Sequence, residues 1–255
     1  MAEGTPAPIE LSVILPAYDE GSSVRDAVER YVAVLGTLEI QYEIIVVDDG
    51  SSDDTLAVAH EVARRHETVR VLANSTNQGQ VRSILSGMAE ARGAVVTHNG
   101  VDLPFDPSET NRLLDVISRG ADVVVVERTG REAYTAARKL ISWCNILLVK
   151  FLFRTPFSDH NFVQAFRRHV LEAIRVESRG VSTVTTELIL KSIVQGFDVR
   201  SIRADYHTRI QGSSTITLRK IARTIGELGR LWVIMHKRDS LKVASQRPKH
   251  AEEVR

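Results

Sequence analysis

The chain has 255 residues, of which 43% are hydrophobic and 25% are charged, a composition that is ordinary for a globular protein and excludes a wholly disordered chain. Its formal net charge is +1 at pH 7, so the charge gives no reason to expect nucleic acid as a partner. The single cysteine, Cys144, excludes an intramolecular disulfide and fits a reducing cytoplasm, and no Cys/His spacing predicts a zinc site.

The two ends of the chain and its most apolar stretch bear on targeting. Residues 1–10 lack the basic-then-apolar pattern of a secretory signal and are predicted to be a disordered lead, and the charged residues 239–255 a disordered tail. No segment reaches the roughly 18 uninterrupted apolar residues of a membrane span, since Ile141–Phe153 is interrupted by Asn145 and Lys150. Any membrane contact is therefore expected from the surface, on the cytoplasmic face.

Strands and helices alternate through the first half of the chain. Apolar runs predict strands at Leu11–Leu15, Tyr42–Val47, Val69–Ala73, Ala94–His98 and Ala121–Val126. Because helical patterns lie between these runs, the alternation predicts a parallel, right-handed doubly wound sheet. The later elements are predicted as a helix over Ala133–Phe153, a short strand over Asn161–Phe166, helices over Arg167–Ile174 and Thr183–Gln195, a strand over Asp198–Tyr206 and a basic helix over Thr217–Lys237.

The run Val46-Val47-Asp48-Asp49-Gly50-Ser51-Ser52-Asp53 stands where the second strand ends and the next helix begins. It therefore lies at the carboxyl edge of the sheet, where open α/β folds bind ligands. Asp49 is a candidate acceptor of hydrogen bonds from a base or ribose. Ser51 or Ser52 is predicted to cap the helix, whose free N–H groups would face the ligand. The alternative is a capped turn in which aspartate is only a turn former.

Three further motifs follow in a recognisable order. The first strand ends in Pro16-Ala17-Tyr18-Asp19-Glu20, Asn77-Gln78-Gly79-Gln80 precedes a helix, and Asp102-Leu103-Pro104 follows the fourth strand. Together with the Val-Asp-Asp-Gly-Ser turn, they resemble the inverting family-two glycosyltransferases with the GT-A fold, and among them the polyprenyl-phosphate sugar synthases typified by dolichol-phosphate mannose synthase. The resemblance covers about Leu11 to Ser214.

This resemblance implies a GT-A-like α/β domain over residues 11–215, with a mostly parallel doubly wound sheet flanked by helices and a basic amphipathic helix at 216–238 as a C-terminal extension. The implied activity is transfer of a hexose, with inversion, from a nucleotide sugar to polyprenyl (dolichyl or undecaprenyl) phosphate. The residues implied for the nucleotide are Pro16, Tyr18, Glu20, Asp49, Gln78, Gly79 and Arg209. The alternative for Gly79 is a role as a helix cap, and the alternative for Arg209 is a place in a Gly-Ser-rich linker.

The metal motif departs from the family pattern, which is Asp-x-Asp-Leu-Gln. The aligned residues here are Gly100-Val101-Asp102-Leu103-Pro104, so only the second acid remains. The resemblance implies Mg²⁺ or Mn²⁺ held by Asp102, also counted among the catalytic residues, together with the substrate diphosphate. Asn99, Asp106 or His98 are candidates for a further ligand. A degenerate homologue that binds nucleotide or lipid without turnover is the alternative.

A phosphate acceptor is anionic and needs cationic groups rather than a general base. The resemblance assigns Arg128, Arg138 and Ser142 to this phosphate, with Arg128 also catalytic. The apolar residues that follow are predicted to line a prenyl path, with packing in the core as the alternative: Trp143, Ile146, Leu147, Leu148, Phe151, Leu152 and Phe153. The basic final helix, which carries Trp232, predicts contact with anionic lipid, or else a helix packed on the domain.

The segment Ser158–Arg168 resembles the acceptor loop and following strand of the family, and its ending Ala165-Phe166-Arg167-Arg168 matches well. The family's small and glycine positions are occupied here by His160, Asn161 and Phe162. Asp159 is the acid assigned to catalysis. It would orient acceptor or sugar, or serve as general base if the acceptor is a hydroxyl, and a loop-capping role is the alternative.

Overall fold

The computed structural model of the chain describes residues 7–129, 136–180, 183–206 and 218–237, without the side chains of 136–142, 144–145, 218–221 and 237. The described strands are β1 Leu11–Ala17, β2 Tyr42–Asp48, β3 Val69–Ala73, β4 Val95–His98, β5 Val123–Thr129, β6 Gln164–Arg167 and β7 Val199–Asp205. The described helices are α1 Gly21–Leu35, α2 Thr55–Arg65, α3 Gln80–Glu90, α4 Thr110–Ser118, α5 Ala136–Phe153, α6 Arg168–Ala173, α7 Val184–Val194 and α8 Leu218–Lys237. A short 3-10 turn, Pro107–Glu109, precedes α4.

The predicted fold class is confirmed as a mixed sheet of seven strands flanked by helices. The chain divides into two compact units, Met1–Leu103 and Pro104–Arg255. In the first unit the strands run in the order β3-β2-β1-β4 and every neighbouring pair is parallel. In the second unit β5 lies between β6 and β7, antiparallel to β6 and parallel to β7.

The first unit is built around strands whose central residues are apolar and buried. Val13, Ile14, Ile45 and Val46 have no exposed surface, as expected for parallel strands with both faces covered. In register, Leu11 of β1 pairs with Tyr42 of β2, and this pairing runs to the carboxyl ends of the two strands. The carboxyl ends of β1 and β2 therefore bring the loops that follow them to one edge of the sheet.

In the second unit, α5 and α8 pack together through the buried residues Val149, Phe153, Leu228, Leu231 and Met235. Leu148 and Leu152 pack against this cluster, so these apolar residues of α5 belong to the core rather than to a path for a ligand. The predicted strand over Asn161–Phe166 is corrected to Gln164–Arg167, because the N–H of Asn161 donates to Asp159 Oδ1 in the loop and Asn161 Oδ1 accepts from Thr185 Oγ1 of α7. Gly196, with φ +84, follows the end of α7.

Candidate functional site

The loop after β1 is joined to the loop after β2 by hydrogen bonds. The backbone N–H of Asp19 donates to Ser51 Oγ at 3.0 Å, and Asp19 Oδ1 accepts from the N–H of Ser52 at 2.7 Å. The prediction that Ser51 or Ser52 caps α2 is therefore wrong: α2 begins at Thr55, after Asp54. Both serines instead hold Asp19, whose φ of +50 gives the first loop its sharp turn.

The residues predicted from the first strand end stand in three different settings. Pro16 lies within β1, where it pairs with Val47. Tyr18 projects from the loop with 44% of its surface exposed. The backbone N–H of Glu20, the residue before α1, donates to Thr55 Oγ1 at 2.9 Å. Of these, Tyr18 offers a side chain to a ligand, whereas the backbone around Glu20 is engaged in the loop.

Asp49 forms several hydrogen bonds with the loop that precedes α3. Its carboxylate accepts hydrogen bonds from Asn74 Nδ2 at 2.8 Å, the N–H of Gln78 at 3.0 Å and the N–H of Gly79 at 2.7 Å. Burial raises the pKa of Asp49, but the hydrogen bonds from Gln78, Asn74, Ser83 and Gly79 outweigh it, so the pKa lies below its ordinary value. Asp49 is therefore ionised at neutral pH. Its hydrogen bonds bring it together with Gln78 and Gly79, which were also predicted to bind the nucleotide.

Gly79 is the residue before α3 and has φ +91. A Cβ built on it would meet nothing within 4 Å, so the glycine is required by its backbone conformation and not by lack of space. The N–H groups of Gly79 and of the preceding Gln78 both donate to the carboxylate of Asp49. The nucleotide assignment of Gln78 and Gly79 stays a prediction.

The residues predicted to bind metal form an incomplete set. Asp102 is partly buried, and burial raises the pKa of its carboxyl. Asn99 is already engaged, because its amide donates to the Tyr31 hydroxyl at 2.9 Å and its Oδ1 accepts from the N–H of Gly100. Asp106 Oδ1 accepts from the N–H of Ser108. Within the described part of the chain, no three His, Cys, Asp or Glu side chains form a group suited to a metal ion. Asp102 would therefore need oxygen ligands from a substrate.

Arg128 and Asp159 form a partly buried ion pair in the second unit. Arg128 Nε donates to Asp159 Oδ2 at 2.5 Å, and Nη2 donates to Oδ1 at 3.1 Å. The Arg128 side chain is 21% exposed and that of Asp159 is 4% exposed. Two predicted catalytic residues are thus in direct contact. Because Asp159 is bound in a bidentate fashion by a guanidinium, the geometry suits a counter-ion better than a general base.

Two aromatic residues beside Arg128 were missed by the sequence reasoning. Arg128 Cζ lies 5.1 Å from the ring centroid of Phe162 and 5.5 Å from that of Tyr206. The two rings meet edge to face with centroids 5.9 Å apart. The signal for Phe162 was its occupation of a position where the family carries a small residue. Tyr206 directly follows β7, but nothing in the sequence relates that position to Arg128.

The segment between α5 and β6 carries a second set of polar contacts. Ser158 donates its N–H to Glu127 Oε1 at 2.5 Å and accepts from Lys150 Nζ at 3.0 Å. Burial lowers the pKa of His160 to about 4, against the opposing effect of Asp159. His160 Nε2 lies 3.1 Å from Thr155 Oγ1. The histidine is therefore neutral at physiological pH and holds the loop.

Three predicted site residues fall where the structure gives no side-chain description. Arg138 and Ser142 lie in α5, and only their helical backbone is described. Arg209 lies outside the described residues. Further along α5, Trp143, Leu147 and Phe151 recur every four residues and are 59%, 44% and 82% exposed. They form an exposed apolar face, separate from the residues of α5 that pack on α8. Among the described helices, none combines the length and apolarity needed to cross a membrane.

The chain is similar to known proteins over most of its length. A model of the family described as "Glycosyl transferase family 2" matches residues 12–175. The chain is 33% identical, over 67% of its length and 53% of the relative's, to the undecaprenyl-phosphate 4-deoxy-4-formamido-L-arabinose transferase of Sodalis glossinidius (strain morsitans). The protein of that name from Proteus mirabilis (strain HI4320) is 31% identical, over 65% of this chain and 51% of its own. The chain thus spans about half the length of these relatives.

Solved structures share the fold at low sequence identity. Mannosyl-3-phosphoglycerate synthase from Rubrobacter xylanophilus superposes with a TM-score of 0.70 at 17% identity, covering 91% of this chain and 76% of that one. Glucosyl-3-phosphoglycerate synthase from Mycobacterium tuberculosis, solved with Mn²⁺, UDP-glucose and phosphoglyceric acid, superposes with a TM-score of 0.66 at 17% identity, covering 88% and 80%. At this identity the likeness establishes the fold.

Proposed function

Because the chain belongs to glycosyl transferase family 2, we propose that it transfers a glycosyl group, with inversion, from a nucleotide sugar to polyprenyl phosphate. The named relatives use undecaprenyl phosphate and a formamido-arabinose. Arabinose is a pentose, so the proposal is for a glycosyl group in general and is no longer limited to the hexose expected from the sequence. The observation that carries the choice of acceptor is the bidentate ion pair between Arg128 and Asp159.

The proposed reaction needs no general base. An oxygen of the acceptor phosphate attacks the anomeric carbon and forms the new C–O bond, while the bond from that carbon to the diphosphate oxygen breaks. The nucleoside diphosphate leaves with the bonding electron pair. Because the attacking phosphate oxygen is already anionic at neutral pH, no proton has to be removed from it. What the protein must supply is positive charge that holds two anionic substrates.

The donor is proposed to bind at the carboxyl ends of β1 and β2. Asp49 orders the turn at Gln78 and Gly79 through two hydrogen bonds from their N–H groups, and Tyr18 is exposed in the loop after β1. Pro16, Glu20 and Arg209 complete the proposed nucleotide set by the family resemblance. These contacts would fix the base and ribose before chemistry begins.

Mg²⁺ or Mn²⁺ is the proposed cofactor, with Asp102 and the donor diphosphate as its ligands. When bound, the cation would neutralise charge on the leaving diphosphate. The family's Asp and Gln are replaced by Gly100 and Pro104, so the protein supplies fewer ligands than its relatives. We expect a weaker dependence on the cation than in a chain with the full motif.

Arg128, Arg138 and Ser142 are the proposed ligands of the acceptor phosphate. Arg128 is held by Asp159 yet retains 21% exposure, so an anion is able to reach it. Asp159 is proposed to orient Arg128, because its two oxygens each accept a hydrogen bond from the guanidinium. Transfer to a hydroxyl acceptor would instead require Asp159 as a general base. Asp159 would then have to be released from its ion pair with Arg128.

The membrane surface is the proposed source of the acceptor, approached from the cytoplasmic face. The exposed apolar face of α5, formed by Trp143, Leu147 and Phe151, is proposed to rest on the lipid and the prenyl chain. On α8, Arg230 and Trp232 are exposed, a pairing that suits anionic headgroups. Residues 11–215 are proposed as the transferase domain and 216–238 as its basic amphipathic extension.

A second candidate function is nucleotide or lipid binding without turnover. The observation that favours it is the incomplete metal motif, in which Gly100 and Pro104 replace an acid and an amide. It differs from the first proposal in one respect only: donor and acceptor would bind, but no glycolipid would form.

The test is an assay with radiolabelled nucleotide sugars, polyprenyl phosphate in anionic vesicles, and Mg²⁺ or Mn²⁺. A thermal-shift panel of nucleoside diphosphates first selects the donor, because a ligand stabilises the fold that binds it. The proposal predicts a lipid-extractable labelled product. A stabilising nucleotide without any such product would favour the binding function instead. Phe151→Ser should reduce sedimentation with vesicles while leaving nucleotide binding unchanged.

A further inference from the structure

The guanidinium of Arg128 is contacted by residues from two parts of the second unit, the loop before β6 and the residue after β7. Asp159 binds it through Nε and Nη2. Phe162, in the same loop, and Tyr206, directly after β7, bring their rings to 5.1 Å and 5.5 Å from its Cζ. Arg128 itself lies near the end of β5. Both ring distances are within the range of cation–π attraction.

Phe162 and Tyr206 are themselves held by neighbouring residues. Phe162 is 7% exposed and meets the buried ring of Phe105 edge to face, with centroids 6.3 Å apart. The N–H of Tyr206 donates to the carbonyl of Thr129 at 3.4 Å, which joins it to the end of β5. Next to Phe162, Asn161 Oδ1 accepts from Thr185 Oγ1 at 2.8 Å. The rings therefore rest on the core and on neighbouring elements, and they are able to restrain the arginine.

We propose that Phe162 and Tyr206 are positioning residues that hold the guanidinium of Arg128 for the acceptor phosphate. This inference rests on the proposed transfer to polyprenyl phosphate. An arginine side chain has several rotatable bonds, and ordering it on binding costs affinity. The ion pair with Asp159 fixes one edge of the guanidinium, and the two rings limit its rotation out of that plane. Acceptor binding then bears less of the ordering cost.

Phe162 connects this arrangement to the core. Its ring lies beside Arg128 Cζ and meets the rings of both Phe105 and Tyr206 edge to face. A chain with glycine at this position would have to order its arginine by other means. Phe162 is therefore the residue whose replacement tests the inference most sharply.

The experiment measures kcat and KM separately for polyprenyl phosphate and for the nucleotide sugar, with each variant in anionic vesicles. Phe162→Leu and Tyr206→Leu keep apolar bulk but remove the rings. Each should raise KM for polyprenyl phosphate by about three- to tenfold, the fold-change expected from loss of a partly desolvated cation–π contact. The kcat and the KM for the donor should change by less than about twofold. Tyr206→Phe keeps its ring and should behave as the parent chain.

Phe157→Leu is the matched control, because Phe157 is a buried phenylalanine of the same loop. It should lower the melting temperature about as much as Phe162→Leu and leave KM for polyprenyl phosphate unchanged. If Phe162→Leu and Tyr206→Leu also leave this KM unchanged while the parent chain transfers sugar, the inference is wrong and the proposed function stands. If the parent chain yields no glycolipid, the proposed function has failed.

A readout that needs no turnover is the NMR signal of the Arg128 Nε–H group. In the parent chain and in Tyr206→Phe this N–H should exchange slowly with water, because the guanidinium is held. Exchange should accelerate in Phe162→Leu, in which Asp159 is still present. Equal exchange rates in the parent chain and Phe162→Leu would show that the rings do not restrain the arginine.

Discussion

Asp49 and Asp159 are both buried carboxylates, one in each unit of the molecule. They differ in the charge of the groups that donate hydrogen bonds to them. Asp49 accepts hydrogen bonds from two backbone N–H groups and the amide of Asn74. Asp159 accepts two hydrogen bonds from the guanidinium of Arg128. The donors to Asp49 are neutral, so it keeps its negative charge. The charge of Asp159 is matched by a cation.

This difference bears on the roles of two acids that were assigned separately from the sequence, Asp49 to the nucleotide and Asp159 to catalysis. A carboxylate surrounded by neutral donors orders a loop and still presents charge to its surroundings. A carboxylate bound to a guanidinium orders that cation and is poorly placed to remove a proton. The removal of Asp49 should therefore disturb a loop, whereas the removal of Arg128 should leave an unmatched charge.

The largest expected effect follows from breaking the ion pair at Arg128. Arg128→Ala removes a ligand of the acceptor phosphate and leaves Asp159 buried without its cation. We expect transfer to fall by roughly a hundredfold or more and the free energy of unfolding to fall by about 2–4 kcal/mol. Arg128→Lys should recover only part of the activity, because lysine lacks the bidentate fork. Steady-state kinetics and urea unfolding measure the two effects.

Arg200 provides the control for Arg128. It forms a bidentate pair with Asp198 in the same unit and has a similar exposure, 24% against 21%. Arg200→Ala should reduce stability without reducing kcat at saturating acceptor. An equal loss of transfer in both variants would mean that Arg128 matters only for folding.

The next effect tests the other member of the comparison. Asp49→Ala should weaken binding of the nucleoside diphosphate by roughly 1–3 kcal/mol, because the N–H groups of Gln78 and Gly79 lose their acceptor. The affinity of Asp49→Asn for the nucleoside diphosphate should lie between those of the parent chain and Asp49→Ala, because an amide offers one acceptor oxygen where the carboxylate offers two. Isothermal titration calorimetry decides this point. Unchanged affinity in Asp49→Ala would remove Asp49 from the nucleotide site.

A smaller effect is expected at the metal. If Asp102 is the retained ligand, Asp102→Ala should abolish the dependence of transfer on Mn²⁺ or Mg²⁺. Restoring the family pattern with Gly100→Asp and Pro104→Gln should tighten Mn²⁺ binding by about tenfold, since a second carboxylate joins the ligands. A titration of activity against Mn²⁺ measures both changes. If the restored variant matches the parent chain, this loop does not hold the cation.

The smallest effect concerns Glu43, a third buried carboxylate, at the start of β2. Burial raises its pKa, but hydrogen bonds from Ser12, Arg70 and the N–H of Arg92 outweigh this and leave the pKa below its ordinary value of 4.5. Its contribution to stability is therefore complete above pH 4.5 and is lost as the pH falls through the lower pKa of the folded state.

Glu43→Gln should remove this part of the pH dependence and lower the free energy of unfolding at pH 7 by about 1–2 kcal/mol. Urea unfolding at several pH values measures it. Nucleotide affinity should not change, so Glu43→Gln is also the control for Asp49. Parallel pH profiles for the parent chain and the variant would contradict the assignment.

The architecture was accessible from the sequence because continuous apolar runs separated by helical patterns have few other solutions. Val69–Ala73 was predicted at its observed bounds, and among the described strands β6 runs antiparallel to its neighbour β5. The predicted boundaries of helices and strands were wrong where side chains form hydrogen bonds with backbone N–H groups. Ser51 and Ser52 are residues of the type that commonly caps a helix, but they form hydrogen bonds with Asp19 of another loop instead. That contact joins residues more than thirty positions apart, and no local pattern encodes it.

The site was predictable in its members and not in their contacts. The motifs pointed to Asp49, Gln78 and Gly79 separately, whereas the structure brings them together through hydrogen bonds to one carboxylate. Arg128 and Asp159 were both named as catalytic, but their pairing depends on how β5 and the loop before β6 meet. The same is true of Tyr206, which approaches Arg128 only because β7 pairs with β5.

The most direct test of the account compares Arg128→Ala with Asp159→Asn in transfer of labelled sugar to polyprenyl phosphate. If the acceptor is a phosphate, Asp159→Asn keeps hydrogen-bonding capacity toward Arg128 and should lose less than about tenfold in kcat, far less than Arg128→Ala. If Asp159 were a general base, Asp159→Asn should lose about a hundredfold or more. The account predicts that Arg128→Ala is the more damaging change, and the reverse order would contradict it.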